Sequence, residues 1–376
     1  MPLFRSHPVS LQPFFGFRSR QRLRLTARAL RQPPRSFEPS ASRLRAAGTM
    51  IAQFASHEVA GLTVRLRVDG PGETLLDAEA TTDGEGFVHF DLPLEPAWDL
   101  PQDPAWEAAE LTWHDPDGGL GGAAASAAAH ILAPGLDSRL AVISDIDDVI
   151  IETGITGGWR SLARNWRRIL VQMPGERTVV PGAAPFYGAL GGGEVQARGE
   201  RLPGKSIAAT HRPFFYISSS PWNLFTYLVA FQRAKGLPLG PLMLRDWGFN
   251  RGTFGSASHG SHKREGIKAI LGMYPDLRFA LIGDDTQGDV PAFAEAVRTY
   301  PGRIAAVFLR TAAAEALTPA EEAGIASIRA AGVPLWLGEG FAVGEDFLHT
   351  LGFTPGGETT QIIKAVEKVG EAPPAA

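Results

Sequence analysis

No cysteine occurs in the 376 residues of this chain. That excludes a disulfide framework, thiolate metal sites and a cysteine nucleophile, while leaving the compartment open. No run approaches the ~18 consecutive apolar residues that a membrane-spanning helix needs, so no transmembrane segment is expected. The amino terminus lacks the apolar core of a signal peptide. Neither sign of charge dominates, since 36 basic and 40 acidic residues leave a net −4. Nucleic acid is therefore not the expected partner, and a cytoplasmic protein, peripheral to a membrane at most, is expected. What is present is ordinary for a globular chain: 44% hydrophobic and 20% charged residues, with length for about two domains.

Charge is unevenly placed. Residues 1–50 hold ten arginines and one glutamate, a net +9, so the remaining 326 residues carry −13. An arginine-rich start suits an anionic membrane, a nucleic acid, a transit-like segment or an unstructured lead-in. The last is expected for residues 1–17, as a basic tail. From Gln21 to Leu30, QRLRLTARAL alternates with period two and reads as a strand. GLTVRLRVDG, LDAEATTDGEGFVHFDL and AELTWHDPDGG keep that period, with turns at Asp69-Gly70 and Asp83-Gly84. An antiparallel β-sandwich is expected over residues 18–134, a binding or scaffolding module with no catalytic constellation. Gly118–Ala129 is expected to be a loose hairpin or linker, and Gly188–Glu194, GALGGGE, a flexible connection rather than a nucleotide loop.

The second half is built differently. Leu140–Ile150, LAVISDIDDVI, is an apolar run ending in Asp145, Asp147 and Asp148. Such a run reads as a buried strand of a parallel sheet, and open α/β sheets bind ligands at the carboxyl ends of their strands. Three carboxylates there repel unless a cation or a proton relieves them. A calcium loop of the EF-hand type is excluded, because Val149, Ile150 and Thr156 stand where a ligand, a glycine and a glutamate are needed.

Three further elements repeat the theme. Phe214–Ile217 is a short apolar strand ended by Ser218, Ser219 and Ser220, with Pro221 suited to open a helix. Hydroxyls and free N–H groups at such a turn suit an anion, or a plain N-cap. In His262–Tyr274, Ile267, Ile270, Leu271 and Tyr274 keep helical spacing, which puts Lys263 at or just before the helix start. Acids are favoured there, so a phosphate between Lys263 and the aspartates would explain the lysine. Phe279–Ile282 is another buried strand; Gly283 permits a sharp turn, Asp284, Asp285 and Asp289 follow, and Pro291 opens the next helix.

In this order the four elements resemble the haloacid dehalogenase superfamily of phosphotransferases. DIDDVI, FYISSSPWNLF, GLPLGPLMLRDWG and LIGDDTQGD resemble one branch of it, the phosphatidate phosphatases of the actin patch protein family and their bacterial members. The likeness runs from about Ser138 to Phe353. Val149 replaces a usual Thr, and Asp285 a usual Ser whose exchange for a carboxylate would alter metal binding.

The resemblance implies an α/β fold, a Rossmannoid parallel sheet of the haloacid dehalogenase type with a small helical cap insertion, over residues 138–355. A C-terminal tail, 356–376, would follow. It implies Asp145 as nucleophile, Asp147 as acid and base, Ser218 holding a phosphoryl oxygen and Lys263 stabilising charge. Asp145, Asp284 and the carbonyl of Asp147 would hold Mg2+, with Asp289 binding or orienting through water; an all-oxygen set suits magnesium rather than zinc. Ser219, Arg245, Trp159 and Arg160 are expected to bind substrate, although Arg245 and Asp246 equally suit an ion pair. Gly157–Leu170 puts Trp159 and Trp166 on one side of a basic amphipathic helix, which suits a membrane interface or a cover over the site. The expected activity is Mg-dependent hydrolysis of a phosphomonoester, phosphatidate foremost. Two other readings stay open at this point: a phosphatase for soluble or nucleic-acid-end phosphates, and an idle phospholipid-binding scaffold.

Overall fold

Period-two sequence becomes an eight-stranded sheet in the first part of the chain. Strands β1 (Val9–Pro13), β2 (Gly16–Arg18), β3 (Arg22–Arg31), β4 (Thr63–Asp69), β5 (Thr74–Thr81), β6 (Phe87–Pro93), β7 (Ala105–His114) and β8 (Ala124–Ala133) pair in the order β1-β3-β2-β8-β7-β4-β5, with β6 on β3. Every pairing is antiparallel except β2 with β8. Along β3, Leu23, Leu25, Ala27 and Ala29 are buried while Arg22, Arg24, Thr26 and Arg28 alternate with them. A one-residue slip would turn those arginines into the core, so the register is firmly specified. Val64, Leu66, Phe90, Leu111, Trp113 and Ile131 join the same core, each buried side chain contributing on the order of 1.5–3 kcal/mol.

The structure, a computed structural model, describes residues 8–31, 58–70, 72–115, 124–146, 180, 182–195, 207–245, 259–285, 288–311 and 317–341. By its contacts the chain divides into two units, residues 1–101 with 105–133, and 102–104 with 134–376.

Several local expectations need correction. Strands β1 and β2 lie inside the stretch expected to be an unstructured tail, because Val9, Leu11 and Phe17 bury their side chains. Five residues beside prolines are too few for period two to stand out. The turn expected at Asp83-Gly84 is present, with the Gly86 N–H donating to the Asp83 carbonyl and the Asp83 side chain accepting from the N–H groups of Glu85 and Phe87; it joins β5 and β6, which pair with β4 and β3. The alanines at 124–129 belong to β8, paired with β7 over its ten residues.

In the second unit a six-stranded, all-parallel sheet forms from β9 (Leu140–Asp145), β10 (Phe214–Pro221), β11 (Leu242–Arg245), β12 (Arg278–Asp284), β13 (Ile304–Arg310) and β14 (Leu335–Gly338), in the order β11-β10-β9-β12-β13-β14. All six residues of β9 are buried, and the first four, residues 140–143, form the apolar run expected of a parallel strand. Helices α1 (Ala183–Gly191), α2 (Phe225–Ala234), α3 (His259–Met273), α4 (Asp289–Thr299) and α5 (Pro319–Ala330) alternate with the strands. Thr318 and Glu321 cap α5 reciprocally. From β9 the chain steps outward to β10 and β11, then returns to the other side of β9 with β12. The crevice between the carboxyl ends of β9 and β12 is thus the topological switch point, where sheets of this kind bind ligands.

Three boundaries differ from expectation. Gly188–Gly191 is helical, because Phe186, Tyr187 and Leu190 give α1 a buried face; Gly192 and Gly193 then turn with positive φ. The serines continue β10 through Pro221, and a short 3-10 turn, Trp222–Leu224, precedes α2. Helix α3 begins at His259, so Lys263 sits in its second turn. Its first turn is polar and carries no apolar period to read.

Candidate active site at the switch point

Strand ends and two helices bring four ionisable groups together. Asp145 ends β9, Asp284 ends β12, Asp289 opens α4, and Lys263 reaches in from α3. All four are between 0% and 3% exposed. The Lys263 Nζ donates to Asp145 Oδ2 at 3.0 Å and lies 2.6 Å from Asp289 Oδ1. The second oxygen of Asp289 accepts from the Asp284 N–H at 3.0 Å. One oxygen from each of Asp145, Asp284 and Asp289 falls within 4.8 Å of the others. Among the described residues, Lys263 is paired with two of these three buried carboxylates.

Local sequence makes this approach possible. Gly283 does not turn the chain; it lies within β12, and a Cβ there would meet Asp289 Oδ2 at 2.6 Å. The missing side chain is the space that the carboxylate fills. On α3, a Cβ at Gly266 would come within 2.9 Å of Ile217 Cδ1 on β10. This glycine lets α3 pack close to β10, one turn beyond Lys263. Gly288, with φ 79°, begins α4 and leaves Asp289 at the positive end of the helix.

The electrostatics follow from burial and crowding. Burial opposes charge on Lys263, but Asp145, Asp289 and Asp284 together hold its ammonium above the usual value. Burial pushes the Asp289 carboxyl well above its usual range; Lys263 opposes this, and Asp145 and Asp284 add to it. Three buried carboxylate oxygens this close together fit a hard divalent cation.

Around the cluster, Ser218 and Ser219 are fully buried at the end of β10, and the Ser218 Oγ accepts from the Ser220 N–H at 2.9 Å. Ile217 stands opposite Asp145 in register, which puts Ser218 one residue beyond it. Arg245 ends β11 opposite Pro221, two strands from β9. Asp285 is 8% exposed just past β12 and donates its N–H to the Arg310 carbonyl. Asp147, Asp246, Trp159, Arg160 and the helix expected at 157–170 lie outside the described residues.

Three contributors had no sequence signal of function. His262 shares 3.2 Å with the Met243 carbonyl, tying α3 to β11. Burial pushes its imidazole below the usual value, and hydrogen bonds to the backbones of Met243 and Ser218 oppose this. Ser144, inside an apolar strand, hydrogen-bonds both Tyr187 and the carbonyl of Asp145. Only the placement of Ser144 beside the aspartate hinted at this, and nothing marked Tyr187.

Comparison with known proteins bears on the same strands. Residues 140–311 match the family model described as the catalytic domain of phosphatidate phosphatase APP1. Phosphatidate phosphatase APP1 of Saccharomyces cerevisiae is 31% identical over 171 residues, which are 46% of this chain and 26% of that protein. An uncharacterized protein of Schizosaccharomyces pombe is 24% identical over 180 residues, 47% of this chain and 26% of its own length. The matched stretch thus spans about a quarter of each curated relative. Among solved structures, the Bacteroides uniformis beta-glucuronidase 2 overlaps 88% of this chain and 39% of its own at 10% identity. Its TM-score of 0.24 carries no argument. No described helix is long and apolar enough to cross a membrane.

Proposed function

We propose that this chain is a magnesium-dependent phosphomonoester hydrolase of the haloacid dehalogenase type, acting on phosphatidate to give diacylglycerol. The observation that carries the reading is the buried Lys263 between Asp145 and Asp289, with Asp284 completing a carboxylate set at the switch point. Phosphatidate as substrate is supported by the family-model match and the likeness to the yeast phosphatidate phosphatase. The eight-stranded sheet is read as the accompanying β-sandwich.

In this reading a carboxylate oxygen of Asp145 attacks phosphorus, and the bond from phosphorus to the lipid alkoxide breaks. Asp147, two residues on, gives that alkoxide its proton. Asp147 then takes a proton from water as the water attacks the aspartyl-phosphate, releasing inorganic phosphate and restoring Asp145. Lys263, already against Asp145 Oδ2, stays charged and stabilises negative charge on the transferring group. Ser218 and its neighbours donate to phosphoryl oxygens, while Ser219, Arg245, Trp159 and Arg160 orient the substrate. Asp145, Asp284 and Asp289, with the Asp147 carbonyl, would hold the magnesium ion, which supplies the charge neutralisation that lets one anion approach another. A peripheral membrane contact through the Trp159 and Arg160 segment completes the proposal.

The test is phosphate release from phosphatidate vesicles, with and without magnesium, comparing the natural chain with Asp145→Asn. Release that needs magnesium and is lost in the variant supports the reaction and its nucleophile. Release from soluble esters but not from vesicles would reassign the substrate, and release from neither would end the enzyme reading.

A further inference from the structure

The nucleophile candidate is held from behind by a chain of buried hydroxyls that ends on another element. Tyr187 of α1 is fully buried, and its Oη lies 2.7 Å from Ser144 Oγ. Ser144 Oγ donates to the carbonyl oxygen of Asp145 at 2.6 Å. A serine hydroxyl has one proton. With that proton committed to the carbonyl, Tyr187 is the donor to Ser144. The other end of the same peptide unit is also fixed, because the Ile146 N–H donates to Asp145 Oδ1 at 2.8 Å. The Asp145–Ile146 peptide is therefore gripped at its C=O by Ser144 and at its N–H by the very carboxylate that it orients. The remaining oxygen, Oδ2, faces Lys263.

The ring of Tyr187 is itself locked. It stacks on Phe214 at 5.6 Å and meets Phe186 and Phe341 edge-on at 6.0 and 6.1 Å. Each aromatic contact of this kind contributes roughly 0.5–1.5 kcal/mol beyond area burial, so the hydroxyl is presented from a rigid base. Buried polar groups that do not support a core cost stability, and an apolar pair of the same shape would fill this space without that risk.

We propose that Tyr187 and Ser144 are positioning residues that set the angle of the Asp145 carboxylate through its own peptide plane. The proposal rests on the reading of Asp145 as nucleophile and magnesium ligand. Partners that orient a ligating group typically change metal affinity or activity by about 10–100-fold when removed, and a misplaced reacting atom costs rate rather than substrate binding.

The experiment compares the full chain with Tyr187→Phe, Ser144→Ala and the double variant. Tyr187→Phe deletes one oxygen and keeps the ring in its stack. Turnover on phosphatidate vesicles and magnesium binding by calorimetry are both read well below each variant's melting midpoint. The expected result is a fall in kcat of about tenfold for Tyr187→Phe, with KM unchanged and magnesium bound more weakly. Ser144→Ala should lose at least as much, and the double variant no more than Ser144→Ala alone, because both act through one chain. A role in stability alone would lower the melting midpoint and leave kcat and magnesium affinity as they were, which overturns the proposal. Losses that multiply in the double variant overturn it as well. If the natural chain releases no phosphate, the phosphatidate reading fails separately and the magnesium isotherms decide the positioning. A natural chain that neither releases phosphate nor binds magnesium overturns both.

Discussion

The two sheets use the same side chains in opposite ways. On the eight-stranded sheet, Arg22 and Arg24 share Asp91, Arg65 meets Asp77 and Arg20 meets Asp99, all with solvent-accessible side chains. At the mouth of the parallel sheet, Lys263 meets Asp145 and Asp289 with hardly any solvent. An exposed pair gains little, because water solvates both partners nearly as well. A buried cluster sets a large desolvation penalty against a strong attraction, and stability alone gives no reason to keep it. The surface pairs add little to a register that the buried face already specifies; the buried cluster is where chemistry is expected.

Four changes would break or sharpen this contrast. The largest effect is expected for Lys263→Ala, which should lower turnover by about 10²–10³-fold, as the loss of one preorganised donor does. A loss under about tenfold would assign the charge stabilisation elsewhere. Second comes pH. The folded state holds the Asp289 proton to higher pH than the unfolded chain does, so without metal the stability should fall as pH rises from the ordinary carboxylate range through that raised value. Magnesium requires the deprotonated carboxylate, so its affinity should rise over the same window and its presence should cancel the loss. Thermal melts across pH, with and without magnesium, check this; a metal-free chain that gains stability there would refute it.

Third, Arg18→Ala probes an intermediate case. Arg18 is 3% exposed, donates to Glu107 and to the Asp99 carbonyl, and lies 5.4 Å from the Trp98 ring. Its loss should cost about 2 kcal/mol in a denaturant titration, by leaving half-buried acceptors unpaired. Smallest is Arg65→Ala, whose melting midpoint should match the natural chain within replicate scatter, and more closely still at high salt. A clear destabilisation there would erase the distinction between the sheets.

Much of this was legible beforehand where one physical rule acts alone. Apolar runs ending in aspartates located β9 and β12, and alternation located β3 and β4. Lys263 was read as a phosphate partner from its odd position, although α3 starts a turn earlier. The illegible parts depend on pairing across the chain. The +9 of the first fifty residues leaves several readings open, whereas in the fold Arg18, Arg20, Arg22, Arg24 and Arg31 meet carboxylates far downstream, Glu107, Asp99, Asp91 and Asp115. Gly283 reads as a turn in the sequence because space left for a carboxylate six residues on has no local signature. Tyr187 stayed silent for the same reason: its partner, Ser144, is 43 residues away.

The bond from Lys263 to Asp145 spans 118 residues of sequence. Contacts that close so long a loop form late, because the chain must lose the loop's freedom before any attraction is felt. The pairing of β9 with β12 closes a loop as long, from Leu140 to Arg278, so a refolding chain should gain that pairing and the lysine contact together, in a slow phase. In a cell, a chain whose synthesis has not yet reached Lys263 would hold Asp145 without its ammonium partner.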